Sequence, residues 1–269
     1  MIKHLLQPLV CERFLTEARY REGHLRVVNA LPKRRVMGLH SPEIKTVAKQ
    51  LSREGGEIVM PDGTHRICAG GADVIHTFEA APSENLCYEE TVIWGYLINL
   101  EKCSLDERLA MLVRYVPVLD NWAVCDSYCA HAKWMVRADK EALWAFLERW
   151  FDSEYEFEVR FAVVVAMCYF LNNEWLDKVF ERINSLEFDR IKSKYKSVKG
   201  KPKMAQQGTV QGAEPYYVRM GVAWLLATAL AKFPDQTRAF VRASQLPEDV
   251  VKLYIRKARE SFKTRTVEA

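Results

Sequence analysis

Apolar residues recur along this chain at the three- and four-residue spacing of helices, with almost no two-residue alternation of the strand type. Leu5, Leu6, Leu9, Val10, Phe14 and Ala18 predict a first helix over residues 3–20, followed by a turn through Pro32, Lys33, Arg34 and Arg35. Ser41 reads as an N-cap with Pro42 at the first helical position, and Ile44, Val47, Ala48 and Leu51 form the stripe behind it. The rhythm returns at Glu89–Leu100. Ser104 and Glu107 have the spacing of a capping box and open a helix to about Val118. Further helices are predicted near 120–131, 139–151, 155–171, 173–185, 215–232, 235–243 and 247–262. Helix pairs joined by short loops, without strands between them, predict an all-α chain of the α-solenoid kind.

Two stretches break the rhythm. Residues 54–85 hold Gly55, Gly56, Pro61, Gly63, Gly70, Gly71 and Pro82 and read as a loop-rich insertion. A short helix near Ala72–Phe78 and a hairpin both fit within it. Residues 190–214 hold Lys192, Lys194, Lys196, Lys199, Lys201 and Lys203. The first part can begin as a helix and the remainder reads as a mobile basic loop. Together these predict one domain over 1–269 carrying two interruptions.

Composition narrows the class. With 49% hydrophobic and 28% charged residues the chain is globular, not disordered. It has no apolar run of membrane-spanning length and its first eight residues lack a signal-peptide layout, so a cytoplasmic protein is expected. The seven cysteines are odd in number and mostly in apolar helical surroundings, which favours reduced, buried thiols. Cys125 and Cys129 are four apart, but no second ligand pair lies at metal spacing, so core packing is the expectation. The net charge of +4 hides an asymmetry. From Arg190 onward there are 17 Lys/Arg against 6 Asp/Glu, while residues 1–189 carry −7. A basic last third fits a polyanion partner, and equally a solvated face. No oligomerisation signal stands out, and a monomer is expected.

Trp122 and Asp126, four residues apart, share one helix face. Arg160 and Trp224 stand out on two later helices. Two aromatics, a carboxylate and a guanidinium on the concave side of a helical array would suit a cation attached to an anion, as in an alkylated base in DNA. Taken singly, each has a plainer reading. Either tryptophan could be core, and Asp126 and Arg160 could form structural ion pairs.

Four ordered segments resemble the DNA alkylation repair family of HEAT-like helical repeats, the AlkD-like DNA glycosylases. They are Gly38–Lys49, Asn121–Asp126, Glu158–Ala162 and Tyr216–Trp224. The likeness is weak over 1–35 and absent from 54–85. It implies a curved solenoid of antiparallel HEAT-like pairs with a concave cleft, in which Trp122 and Trp224 flank the lesion. It also implies that Asp126 faces the deoxyribose, that Arg160 anchors a phosphate, and that the base leaves without entering a deep pocket. Asn121, Ala123 and Ala227 stand where the family often has an aromatic, an acid and an arginine.

The chemistry agrees. Alkylation at purine N3 or N7 makes the base cationic, so it departs neutral and the glycosidic bond is already weak. A carboxylate such as Asp126 can stabilise the sugar cation and orient water. Each indole face can attract a cationic base by ~1–2 kcal/mol when desolvated. Lysines 192–203 would add salt-dependent phosphate contacts. No metal or organic cofactor is needed. The expected activity is excision of N3- or N7-alkylpurines from duplex DNA. The alternatives are a non-catalytic nucleic-acid-binding solenoid and a protein-interaction solenoid.

Overall fold

Helices carry most of the described chain, and in each half one largely buried helix sits between two others. The structure is a computed structural model that describes residues 1–198, 201–203 and 214–264. It divides into two compact units, Met1–Trp134 and Met135–Ala269.

The first unit contains α1 (Lys3–Leu6), α2 (Glu12–Thr16), α3 (Ala18–Val28), α4 (Ser41–Glu54), β1 (Gly56–Val59) and β2 (His65–Cys68). It continues with α5 (Gly71–Ala80), α6 (Tyr88–Leu100), α7 (Leu105–Tyr115) and α8 (Trp122–His131). Every residue of α6 from Tyr88 to Ile98 is buried, the mark of a helix covered all round. It packs on α4 and α8, with α5 and α7 alongside. Trp94 of α6 meets Phe78 of α5 and Tyr115 of α7, whose ring in turn meets Tyr128 of α8.

The second unit contains α9 (Lys140–Phe151), α10 (Glu156–Tyr169), α11 (Leu176–Asn184), β3 (Lys196–Val198) and β4 (Lys201–Lys203). It ends with α12 (Tyr216–Leu230), α13 (Pro234–Ala243) and α14 (Glu248–Glu260). Here α12 is the central helix, packed between α10 and α14. A stacked pair, Phe180 on Phe240 at 4.3 Å, ties α11 to α13.

The all-α class is borne out, and the capping box at Ser104 and Glu107 forms as expected. The single helix expected over 3–20 does not form. Pro8 lacks an N–H to continue the ladder, and the chain is extended at Val10 (ψ 133°) and Glu17 (ψ 105°), which splits the stretch into α1, a 3-10 turn, α2 and α3. Ser41 is the first residue of α4 and His40 its cap, with no capping side chain. The 54–85 insertion holds both the hairpin and the short helix that fit its sequence. β1 and β2 form an antiparallel hairpin with Gly56 opposite Cys68, and α5 follows. In the basic segment a 3-10 turn at Phe188–Arg190 replaces the helix start, and β3 pairs antiparallel with β4. The rest of the loop expectation, at 199–200 and 204–213, falls outside the described residues.

Gly38 opens one of the family-like segments for a steric reason. Its φ is +94°, and a Cβ there would meet the Phe14 ring at 2.2 Å. The N–H groups of Met37 and Gly38 both donate to the buried Glu89 carboxylate, at 3.0 and 2.8 Å. That segment therefore holds the entry to α4 in place.

All seven cysteines are free thiols, and Cys125 and Cys129 are fully buried, as core packing requires. Among the described residues no group of three or more His, Cys, Asp or Glu is placed to hold a metal ion. No helix among them is long and apolar enough to cross a membrane.

Candidate functional site

The start of α8 is tied by three successive side chains to the end of α3 and the segment after it. Asp120 accepts from Arg34 at 2.6 and 3.0 Å, and Arg34 also donates to the carbonyls of Ser83 and Leu86. Asn121 caps the helix by accepting from the Ala123 N–H at 2.8 Å, while its amide donates to the Val28 carbonyl at 2.6 Å. The Trp122 indole N–H donates to the Val27 carbonyl at 3.1 Å. Asparagine at 121 thus has a job that an aromatic could not do. Trp122 is half-buried, neither sealed in the core nor free to swing, and Asp126 is half-buried one turn further on.

Arg160 and Trp224 belong to the second unit and meet α12 at different levels. The Arg160 guanidinium donates to the Tyr217 carbonyl at 2.5 Å and lies against Gly221, where a Cβ would sit 3.4 Å from Nη1. Tyr217 and Gly221 precede Trp224 by about two turns and one turn. Arg160 is only 4% exposed, which leaves little guanidinium surface for a phosphate. It is an internal cation at the root of α12.

Beside it lies Glu156, a residue the sequence reading did not single out. Pro215 precedes α12 and provides no capping side chain. Glu156 takes over from another helix. Its carboxylate accepts from the Tyr217 N–H at 2.6 Å and from the Ser193 hydroxyl at 2.5 Å. Burial pushes Glu156 up to about 7, although Ser193, the Tyr217 and Val218 N–H groups and Arg160 all pull it down. The available signal was the i,i+4 spacing of Glu156 and Arg160 on α10.

Trp224 is 38% exposed, unlike the core residue its apolar neighbours suggest. It opens on a groove of about 530 Å³ between α12 and α14, lined also by Ala227, Thr228, Lys232, Lys257 and Lys263. Glu260 is in the same groove, 2.8 Å from Lys257. The groove carries three cations against one anion. It therefore has positive charge around Ala227, where the family often places an arginine. These three lysines were legible only as part of the basic last third.

Of the basic segment, Lys192 is exposed, bonded to Glu154 and 6.0 Å from the Tyr155 ring centre. Lys194 is exposed and close enough to help hold the Glu158 carboxyl down against burial, which raises it. Lys196, Lys201 and Lys203 lie in the β3–β4 pair, and Lys199 lies outside the described residues.

Residues 87–198 match the family model described as DNA alkylation repair enzyme. That segment is similar to the DNA alkylation repair family. It includes all of α6 to α11, with Trp122, Asp126 and Arg160 inside it and Trp224 outside. The family likeness read from the motifs holds over this stretch and links the chain to DNA repair. No curated protein and no solved structure matches the chain.

Proposed function

We propose that this protein is a DNA glycosylase that hydrolyses the N-glycosidic bond of positively charged N3- or N7-alkylpurines in duplex DNA. The observation that carries the reading is on α8. There an indole and a carboxylate, one turn apart and both half-buried, sit within the segment matching a DNA alkylation repair family.

In this reading the C1′–N bond breaks with its electron pair going to the base, which leaves neutral. Asp126 stabilises the cationic sugar while water adds to C1′, and it takes the proton that water releases. Trp122, fixed by its bond to Val27, presents an electron-rich face to the cationic base. Trp224 and the lysines of its groove hold a further stretch of DNA by stacking and charge. Lys192, Lys194, Lys196, Lys199, Lys201 and Lys203 contribute phosphate contacts. The Lys192–Glu154 pair is exposed and screened by solvent, so a phosphate can displace it. Arg160 acts by fixing the root of α12, and any phosphate contact it makes is through its small remaining surface.

The test is release of 7-methylguanine or 3-methyladenine from methylated duplex DNA by the purified protein. Asp126→Asn should abolish release and leave the thermal melt unchanged; release at the wild-type rate removes the carboxylate from the mechanism. The internal placement of Arg160 favours one second reading, a non-catalytic DNA-binding member of the same fold. Salt-dependent binding without any base release would select it.

A further inference from the structure

The first unit carries a set of uncommitted cations that the charge balance of the whole chain conceals. Residues 1–35 contain eight Lys/Arg against three Asp/Glu, while residues 36–134 of the same unit contain eight against fourteen. Some of these early cations have internal work. Arg13 pairs with Glu17, Arg21 donates to the Phe14 and Leu15 carbonyls, and Arg34 is bonded to Asp120, Ser83 and Leu86. Arg19, Arg26, Lys33 and Arg35 differ. All four are exposed, and among the described residues no side chain or carbonyl takes a bond from the charged group of any of them.

Their positions are fixed although their side chains are free. Arg19 and Arg26 are seven residues apart and so share one face of α3. Asn29, at φ 49°, ends that helix with its N–H on the Leu25 carbonyl at 2.8 Å. The loop that follows is clamped at Arg34, leaving Lys33 and Arg35 exposed on either side of the clamp. The same bonds locate this strip beside Trp122, because Asp120 holds Arg34, Asn121 holds Val28 and the indole holds Val27. Val27 itself is exposed, so an apolar side chain and an indole lie next to the cations.

We propose that Arg19, Arg26, Lys33 and Arg35 form a phosphate-contacting strip that holds the backbone of duplex DNA beside Trp122. The proposal rests on the DNA-binding part of the function proposed above and adds a surface to it. Exposed cations in an otherwise acidic unit, with no partner and a rigid base, suit a polyanion better than a solvated face does. Positioning contacts of this kind carry no sequence information, which is what a lesion-directed protein requires.

The experiment is fluorescence anisotropy of the full chain with a labelled unmodified duplex, over a salt series. The triple variant Arg26→Ala, Lys33→Ala, Arg35→Ala should bind more weakly, with a log K against log[salt] slope shallower by about 0.9 for each phosphate no longer neutralised. A charge-matched control, Arg53→Ala, Lys102→Ala, Lys133→Ala, removes three other exposed cations from the same unit. It should keep most of the wild-type slope. Equal losses in the two variants would make the effect one of net charge and overturn the strip. Wild-type binding with an unchanged slope in the first variant would overturn the strip alone. Absence of salt-dependent binding by the wild type would overturn the strip together with the DNA-binding reading. Melting curves matching the wild type show that a loss is not unfolding.

Discussion

The starts of α8 and α12 pose the same problem and solve it differently. Each helix begins beside a residue proposed to meet DNA, or leads to one, and each needs partners for its first N–H groups. At α8 the partner is local. Asn121 bonds the N–H two residues ahead, and its neighbours reach back, Trp122 to the end of α3 and Asp120 to the segment after it. At α12 the partner is remote. Glu156, 61 residues upstream, bonds Tyr217, and Arg160 balances its charge within the interior. A local polar cap leaves its helix start near solvent, whereas a remote ionisable one is buried, here beside the Arg160 charge. The second arrangement is therefore more costly to break and responds to pH.

Glu156→Ala would test this most severely. It would leave Arg160 buried without its carboxylate and the Tyr217 N–H without an acceptor, at a cost of about 3–5 kcal/mol in urea unfolding. A loss under ~1 kcal/mol would mean that α12 does not depend on the remote cap. The pH dependence comes next. Folded Glu156 keeps its proton up to about 7, while in the unfolded chain it releases it near the ordinary carboxylate range. Between those values the folded state binds more protons. The stabilisation is therefore complete at the acid end of the window and lost as pH rises toward 7. Relative to Glu156→Gln, the wild type should lose as much as ~3 kcal/mol across that window. Parallel pH profiles for the two proteins would contradict the assignment. The local cap should matter less: Asn121→Ala should cost ~1–2 kcal/mol, with no pH dependence of its own. Trp122→Phe, which keeps a ring and removes the bond to Val27, should cost ~0.5–1 kcal/mol, readable as a small drop in melting temperature. A larger loss there than at Asn121 would reverse the ranking of the two ties.

The same contrast explains what the sequence made legible. Helix positions from α4 onward follow from apolar spacing and from caps such as Ser104, because both are local properties. The broken start, α1 to α3, was hidden because Leu5 to Ala18 keep helical spacing through Pro8 and Glu17. A hairpin and a short helix both fitted the glycine-rich insertion, but the strand bounds and register of β1–β2 were not legible, since strand pairing depends on a partner further along the chain. Within the site, Trp122 and Asp126 were legible as a pair because four residues place them on one face. The burial of Arg160 was not, because it depends on Tyr217 and Gly221, nearly sixty residues away. The groove at Trp224 was missed for the same reason, since two of its lysines come from α14 and the segment after it.

The protein also carries its own optical reporter. Trp94, Trp144, Trp150 and Trp175 are buried, while Trp224 is 38% exposed and Trp134 and Trp122, the latter beside Val27, are half-buried. A soluble collisional quencher should therefore dim the reddest part of the emission first, and nucleic acid lying over Trp122 and Trp224 should shield their share of it. Occupancy can then be followed on the unlabelled wild-type chain.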